Sequence, residues 1–228
     1  MIGPESLDTA TALNNLADVR RLEKRGDLAL VMLERAQAIY TKIFGPADAR
    51  IAYPLERIAL VYEDRGENER ALVFLRRAME VRKQALGERH ADVMSSMSYV
   101  AELLSRLRRC DEARPLLDIA IPGLEQTLGN GSALYAQALI VGARCDVVAG
   151  KAARAVERID AALPIYAKAK VPAVESGKAR WLETRALWTL GRHDAAVAAA
   201  RQALIDLDGD ADGAADRAVA QAWLAHPR

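Results

Sequence analysis

The chain has 228 residues, 51% of them hydrophobic and only 5% aromatic, with 32 basic against 31 acidic side chains. This composition can bury a substantial interior and excludes a disordered chain. The two charge signs nearly cancel and are interspersed, which excludes the basic stripe that a nucleic-acid backbone requires. An Ala- and Leu-rich balance with few aromatic residues favours close-packed helices over sheets, so an all-α protein is expected.

From the N-terminus, Met1-Ile2-Gly3-Pro4-Glu5 has no basic region followed by an apolar core, and no run of about 18 apolar residues occurs anywhere. A soluble, cytoplasmic protein with no membrane partner is expected. Gly3 also opens an internal period. Gly3, Gly45, Gly87 and Gly129 are each 42 residues apart, and each follows an apolar residue: Ile2, Phe44, Leu86 and Leu128. In the same frame stand Ala29, Ala71, Ala113 and Ala155, then Ala36, Ala78, Ala120 and Ala162. A fifth unit follows after one deleted residue, with Gly191, Ala196 and Ala203 in place.

Each unit shows helical apolar spacing interrupted once by a turn, as in Tyr62-Glu63-Asp64-Arg65-Gly66-Glu67-Asn68. Each is therefore a helical hairpin, and its recurring alanines let the paired helices approach to about 8 to 10 Å between axes. Hairpins are expected over about 6–45, 46–87, 88–129, 130–171 and 172–208. An acidic turn and a capping helix over 213–226 follow, which cover the stacking face that the last hairpin otherwise leaves wet. Ile2-Gly3-Pro4-Glu5 reads as the tail of a preceding repeat, so a longer protein is expected.

Leu13-Asn14-Asn15-Leu16-Ala17, Arg109-Cys110-Asp111-Glu112-Ala113 and Leu86-Gly87-Glu88-Arg89-His90-Ala91-Asp92-Val93 resemble the tetratricopeptide repeat in its 42-residue, kinesin-light-chain-like form. The resemblance covers nearly the whole chain. It implies a right-handed α-α superhelix, a solenoid of about five hairpins with a C-terminal capping helix, acting as a non-enzymatic protein-binding scaffold. Two positions depart from the family pattern: Lys24 stands where the turn glycine is usual, and Gly142 where a large apolar residue is usual. Looser hairpins are expected there. Trp223-Leu224-Ala225-His226-Pro227 is similar to the ends of C-terminal regions attached to bacterial serine/threonine kinases. That similarity implies the alternative of a regulatory, substrate-recruiting domain of a larger signalling protein.

In this family the first helix of each hairpin lines a concave groove. Mapped by frame, the groove residues are Asn14, Asn15 and Asp18; Tyr53, Arg57 and Leu60; Ser95, Tyr99 and Glu102; Gln137, Val141 and Arg144; Trp181, Arg185 and Trp188. Amides can pair with a peptide backbone, Tyr and Trp add contact area, and Arg pairs with carboxylates. Asp18 stands where carboxylate-clamp relatives carry Asn, so a terminal-carboxylate clamp is not expected. Arg144 and Arg185 point instead to an acidic peptide stretch. Trp181 and Trp188, seven residues apart on one helix face, either pack against neighbouring hairpins or anchor a ligand; packing is the expectation. The ends of such an array can also pair with a second copy.

No chemistry is expected. His90, His193 and His226 fall on a connector, a turn and the tail, with no partner at a shared spacing, and the glycines are repeat punctuation rather than a phosphate loop. Asp208-Gly209-Asp210-Ala211-Asp212-Gly213 matches the opening of an EF-hand loop, but Val219 stands where the bidentate Glu is needed. No metal or cofactor follows. Cys110 and Cys145, far apart and outside any ligand spacing, are expected as reduced thiols.

Overall fold

The computed structural model describes residues 3–227, and these form eleven α-helices and one 3-10 turn, with no strand among the described residues. Ile2, the apolar residue expected before the first connector glycine, lies outside them. The chain divides into two compact units, Met1–Leu107 and Arg108–Arg228.

The first unit contains α1 (Leu7–Leu22), α2 (Gly26–Phe44), the turn Ala49–Ile51 running into α3 (Ala52–Asp64), α4 (Asn68–Leu86) and α5 (Ala91–Arg106). Within it α1 pairs with α2 and α3 with α4, while α2 packs on α3 and α4 on α5. The second contains α6 (Cys110–Leu128), α7 (Ala133–Val148), α8 (Ala152–Lys168), α9 (Ala173–Thr189), α10 (His193–Asp206) and α11 (Ala214–Ala225). Here α7 pairs with α8 and α9 with α10, α6 packs on α7 and α8 on α9, and α11 rests on α9 and α10.

The period has a direct conformational cause. Gly45, Gly87 and Gly129 end α2, α4 and α6 with φ near 80° and ψ near 160°, a region open essentially to glycine alone. Each glycine carbonyl then accepts the N–H three residues on, at Asp48, His90 and Ser132; Gly3 does the same with Ser6 at 3.1 Å. Those four residues are the N-caps of the helices or helical turns that follow. The His90 imidazole Nδ1 accepts the Asp92 N–H at 3.1 Å, which makes His90 a helix cap.

The turn between the two helices of a hairpin has its own period, with left-handed φ at Lys24, Gly66, Arg108, Gly150 and Gly191. Lys24 (φ 61°) adopts the backbone its glycine counterparts use, so the first hairpin keeps the turn instead of loosening it. The alanines at 29, 71, 113, 155 and 196, and at 36, 78, 120, 162 and 203, are all fully buried. Any larger side chain there would separate the helices.

Candidate functional site

In the first unit the face formed by α1, α3 and α5 is largely occupied by its own charges. Asn14 is buried and its Nδ2 donates to the Tyr40 hydroxyl at 3.3 Å, so it serves the hairpin interior, whereas Asn15 beside it is exposed. Asp18 on α1 forms an ion pair with Arg57 on α3, and burial holds the Arg57 guanidinium below its usual pKa. That pairing engages both groups before any ligand arrives. Leu60 and Tyr53 are exposed, Tyr53 at 47%, giving an aromatic surface beside the charged pair. Ser95 is nearly buried, and its hydroxyl donates to the Ala91 carbonyl at 3.0 Å.

Behind Tyr53 lies a cluster that sequence reasoning did not find. The buried Arg82 of α4 donates from Nη2 to Glu56 Oε2 at 2.9 Å and from Nη1 to Ser96 Oγ at 2.6 Å, joining α3, α4 and α5. Its guanidinium sits 5.2 Å from the Tyr53 ring centroid. Tyr99, half-buried, has its phenol pKa raised first by burial and then by the Glu56 carboxylate. A charge this deep is tolerated because Glu56 pairs with the guanidinium and Ser96 accepts a further hydrogen bond from it. A cleft of about 300 Å³ at the turn end of α1 and α3 is likewise bordered by paired charges, Arg21 with Asp64 at 2.8 Å and Arg65 with Asp27 at 2.6 Å.

In the second unit, Gln137 and Arg144 are half-buried on α7, Val141 is buried, and Arg185 on α9 is exposed. Arg144 and Arg185 hold the same register on consecutive first helices once the deleted residue is counted. Trp181 and Trp188 are committed to packing: their rings meet Trp223 of α11 edge-on at 5.9 and 5.1 Å, and Trp188 stacks on His193 at 4.1 Å. In the acidic turn, Asp208 pairs with Arg217 at 2.9 Å and Asp210 accepts the Asp212 N–H at 2.8 Å. Among the described residues no group of three or more His, Cys, Asp or Glu could hold a metal.

Gly142 has a structural partner. A Cβ there would collide with Nη1 of Arg158, whose guanidinium lies over the α7 backbone and reaches the buried Asp146 one turn further on, at 3.2 Å. Arg154 approaches the same carboxylate at 3.6 Å. The missing side chain that suggested a loose hairpin is the space through which Arg158 neutralises Asp146.

The cysteines overturn the expectation of reduced thiols. Cys110 and Cys145 form a disulfide between α6 and α7, with Cα atoms 5.3 Å apart and a separation of 35 residues. The same offset joins Gly26 to Val61, where an added Cβ would lie 3.1 Å from Val61 Cγ1. The disulfide therefore occupies a contact that the repeat itself creates, between the start of a second helix and the first helix after it.

Paired antiparallel helices on a fixed period, with small residues at every close approach, define a helical-hairpin repeat protein. A family model described as tetratricopeptide repeat matches twice, over residues 8–84 and 50–126, together more than half of the chain, and the chain belongs to that family. It is similar to the human "Clustered mitochondria protein homolog", 31% identical over 100 residues that cover 44% of this chain and 8% of the relative. The zebrafish (Danio rerio) protein of the same description is 35% identical over 77 residues, 34% of this chain and 6% of the relative. The chain thus matches under a tenth of these relatives' length. In structure it resembles BtubC (BKLC) from P. vanneervenii, with a TM-score of 0.74 and 17% identity over 85% of this chain and 78% of that one. It also resembles putative kinesin light chain TPR-like repeats from Podosopora anserina, with a TM-score of 0.68 and 19% identity over 90% and 97%. The fold is an all-α TPR solenoid, generally a protein-binding scaffold, and no helix among the described residues is long and apolar enough to cross a membrane.

Proposed function

We propose that this chain is a non-enzymatic scaffold that holds an acidic, extended segment of a partner protein on the first-helix face of its second unit. The supporting observation is that Arg144 and Arg185 share a register on α7 and α9, while Arg185 is exposed and makes no ion pair among the described residues. A guanidinium presented in this way can pair bidentately with a partner carboxylate. In the first unit Asp18 already pairs with Arg57, so Asn15 and Tyr53 are the groups there that can meet a peptide backbone, with Tyr99 and Glu102 beside the Arg82 cluster. Trp181 supports the face from behind through Trp223 rather than anchoring a ligand.

The test is fluorescence anisotropy with labelled twelve-residue peptides, acidic and basic, on the full chain. An acidic peptide should bind in a salt-dependent manner, and Arg144→Glu with Arg185→Glu should weaken it by several kcal/mol. Equal binding of both peptides, or no effect of the double charge reversal, overturns the reading. A second reading is a recruiting module within a larger signalling protein, and the small share of the long relatives that the match occupies supports its larger-protein part alone. Sequencing upstream of the codon for Met1 tests it.

A further inference from the structure

The connector between α6 and α7 keeps the backbone of its period and changes the side chains. Gly129, Asn130, Gly131 and Ser132 occupy the places of Gly45, Pro46, Ala47 and Asp48, and of Gly87, Glu88, Arg89 and His90. In each connector the first carbonyl accepts the fourth N–H, at 3.2 Å between Gly129 and Ser132. The fold does not require a glycine at 131. A Cβ there would meet nothing within 4 Å, its φ is not left-handed, and Ala47 and Arg89 serve at the same place.

Gly131 instead leaves the Asn130 side chain open to attack by the backbone nitrogen that follows it. Both residues are exposed, and the Gly131 N–H donates to no protein group among the described residues. With no side chain at 131, nothing crowds the approach of that nitrogen to the Asn130 carboxamide. The other three asparagines are shielded. Asn14 is buried in α1, Asn15 is followed in the same helix by Leu16, whose N–H belongs to the helical ladder, and Asn68 is followed by Glu69, whose side chain stands in the way.

We propose that Asn130 is a site of covalent self-modification by deamidation. The Gly131 nitrogen, once deprotonated, bonds to the Asn130 side-chain carbonyl carbon, and the carboxamide nitrogen leaves as ammonia, giving a cyclic imide. Water then opens the imide at either carbonyl. One opening yields aspartate; the other yields isoaspartate, with the main chain routed through the side-chain carboxyl and lengthened by a methylene. One water is consumed and one ammonia released, with no oxidant or reductant.

The two products act on α7 in opposite directions. Ser6, Asp48 and His90 each cap the helix or turn that follows with a side-chain hydrogen bond, and Ser132 makes none, so the entry to α7 rests on the backbone bond between Gly129 and Ser132. Isoaspartate lengthens the main chain inside that turn and breaks the bond. Aspartate keeps the bond and sets a negative charge just before a helix whose first turn has no acid, where the helix dipole favours it.

The test ages the full chain in mildly alkaline buffer and maps it by trypsin and mass spectrometry after reduction. The tryptic peptide Cys110–Arg144 has Asn130 as its only asparagine. It should gain the mass of an amide-to-acid exchange, separate into two products, and accept labelled methyl groups from S-adenosylmethionine through an isoaspartyl methyltransferase. The rate should lie within a few-fold of that of the free peptide 126–136, and Gly131→Ala should slow it about tenfold through the crowding a Cβ adds. Circular dichroism checks that Gly131→Ala stays folded, as Ala47 at the same place predicts. Asn130→Asp should melt no lower than the fresh chain, and the isoaspartate-bearing fraction should melt below it. Strong protection of the folded chain relative to the peptide, equal rates with and without Gly131→Ala, faster modification at Asn14, Asn15 or Asn68, or the reverse order of melting overturns the proposal.

Discussion

Replacing Arg158 by Leu removes the main counter-charge of Asp146, a carboxylate buried on the inner side of α7. Breaking one partner of a buried ion pair costs about 3 to 5 kcal/mol, because the remaining charge stays in a poorly solvated site. Arg154 still approaches at 3.6 Å, so the lower end of that range applies. In a chain of this size each kcal/mol moves Tm by about 2 to 4 °C, so thermal melting followed at the helical circular-dichroism band should show a fall of roughly 6 to 12 °C. Replacing Asp146 by Leu in the same chain should recover most of the loss, since well-packed apolar groups replace buried pairs at little or no cost. Gly142→Ala should destabilise through the same contact, because its Cβ must displace the Arg158 guanidinium from Asp146. The costs of Gly142→Ala and Arg158→Leu should then overlap in the double variant rather than add. A fall below about 2 °C for Arg158→Leu, or strict additivity with Gly142→Ala, would refute the assignment.

The disulfide closes a 35-residue separation, and its removal by Cys110→Ala with Cys145→Ala should cost about 3 to 4 kcal/mol in denaturant unfolding; intact mass spectrometry of unreduced protein should find the chain lighter by two hydrogens than after reduction. Lys24→Gly should stabilise by about 1 kcal/mol, since the left-handed backbone at Lys24 suits glycine; a loss of stability in chemical denaturation would contradict this. Asp48 has its carboxyl held down to about 2 by its hydrogen bond with Arg50. A lowered acid contributes stability that is complete above its unfolded pKa and is lost as pH falls through the folded value, so Asp48→Asn should flatten the stability profile between about pH 4 and 2 while leaving the melt at the acid end unchanged.

The periodic part of the fold was legible because each repeat imposes the same constraint at the same place. Gly45, Gly87 and Gly129 stand where only glycine fits the backbone, and Ala71 or Ala120 where only a small residue fits between helices. Features that depend on one repeat alone were harder to read. Lys24 looked like a lost turn because residue identity was visible and its φ was not. Gly142 looked like a void because Arg158, which occupies that space, lies sixteen residues away on the partner helix. The cysteines match no ligand or redox spacing; their relation appears only when Cys110 and Cys145 are set on the frame of Gly26 and Val61. Among the groove residues, the positions on the first helices followed from the frame, but the Asp18–Arg57 pairing and the burial of Asn14 depend on side-chain geometry between helices.

The Cys110–Cys145 bond also has a mechanical consequence. Repeat arrays unravel under tension by giving up neighbouring units, each adding its extended length to the chain. With the bond intact, the 35 residues it spans cannot pay out, and the fully stretched oxidised polypeptide is shorter than the reduced one by roughly 120 Å. The bond therefore acts as a strain limiter, letting the array yield elsewhere while one stretch of the chain keeps a fixed length.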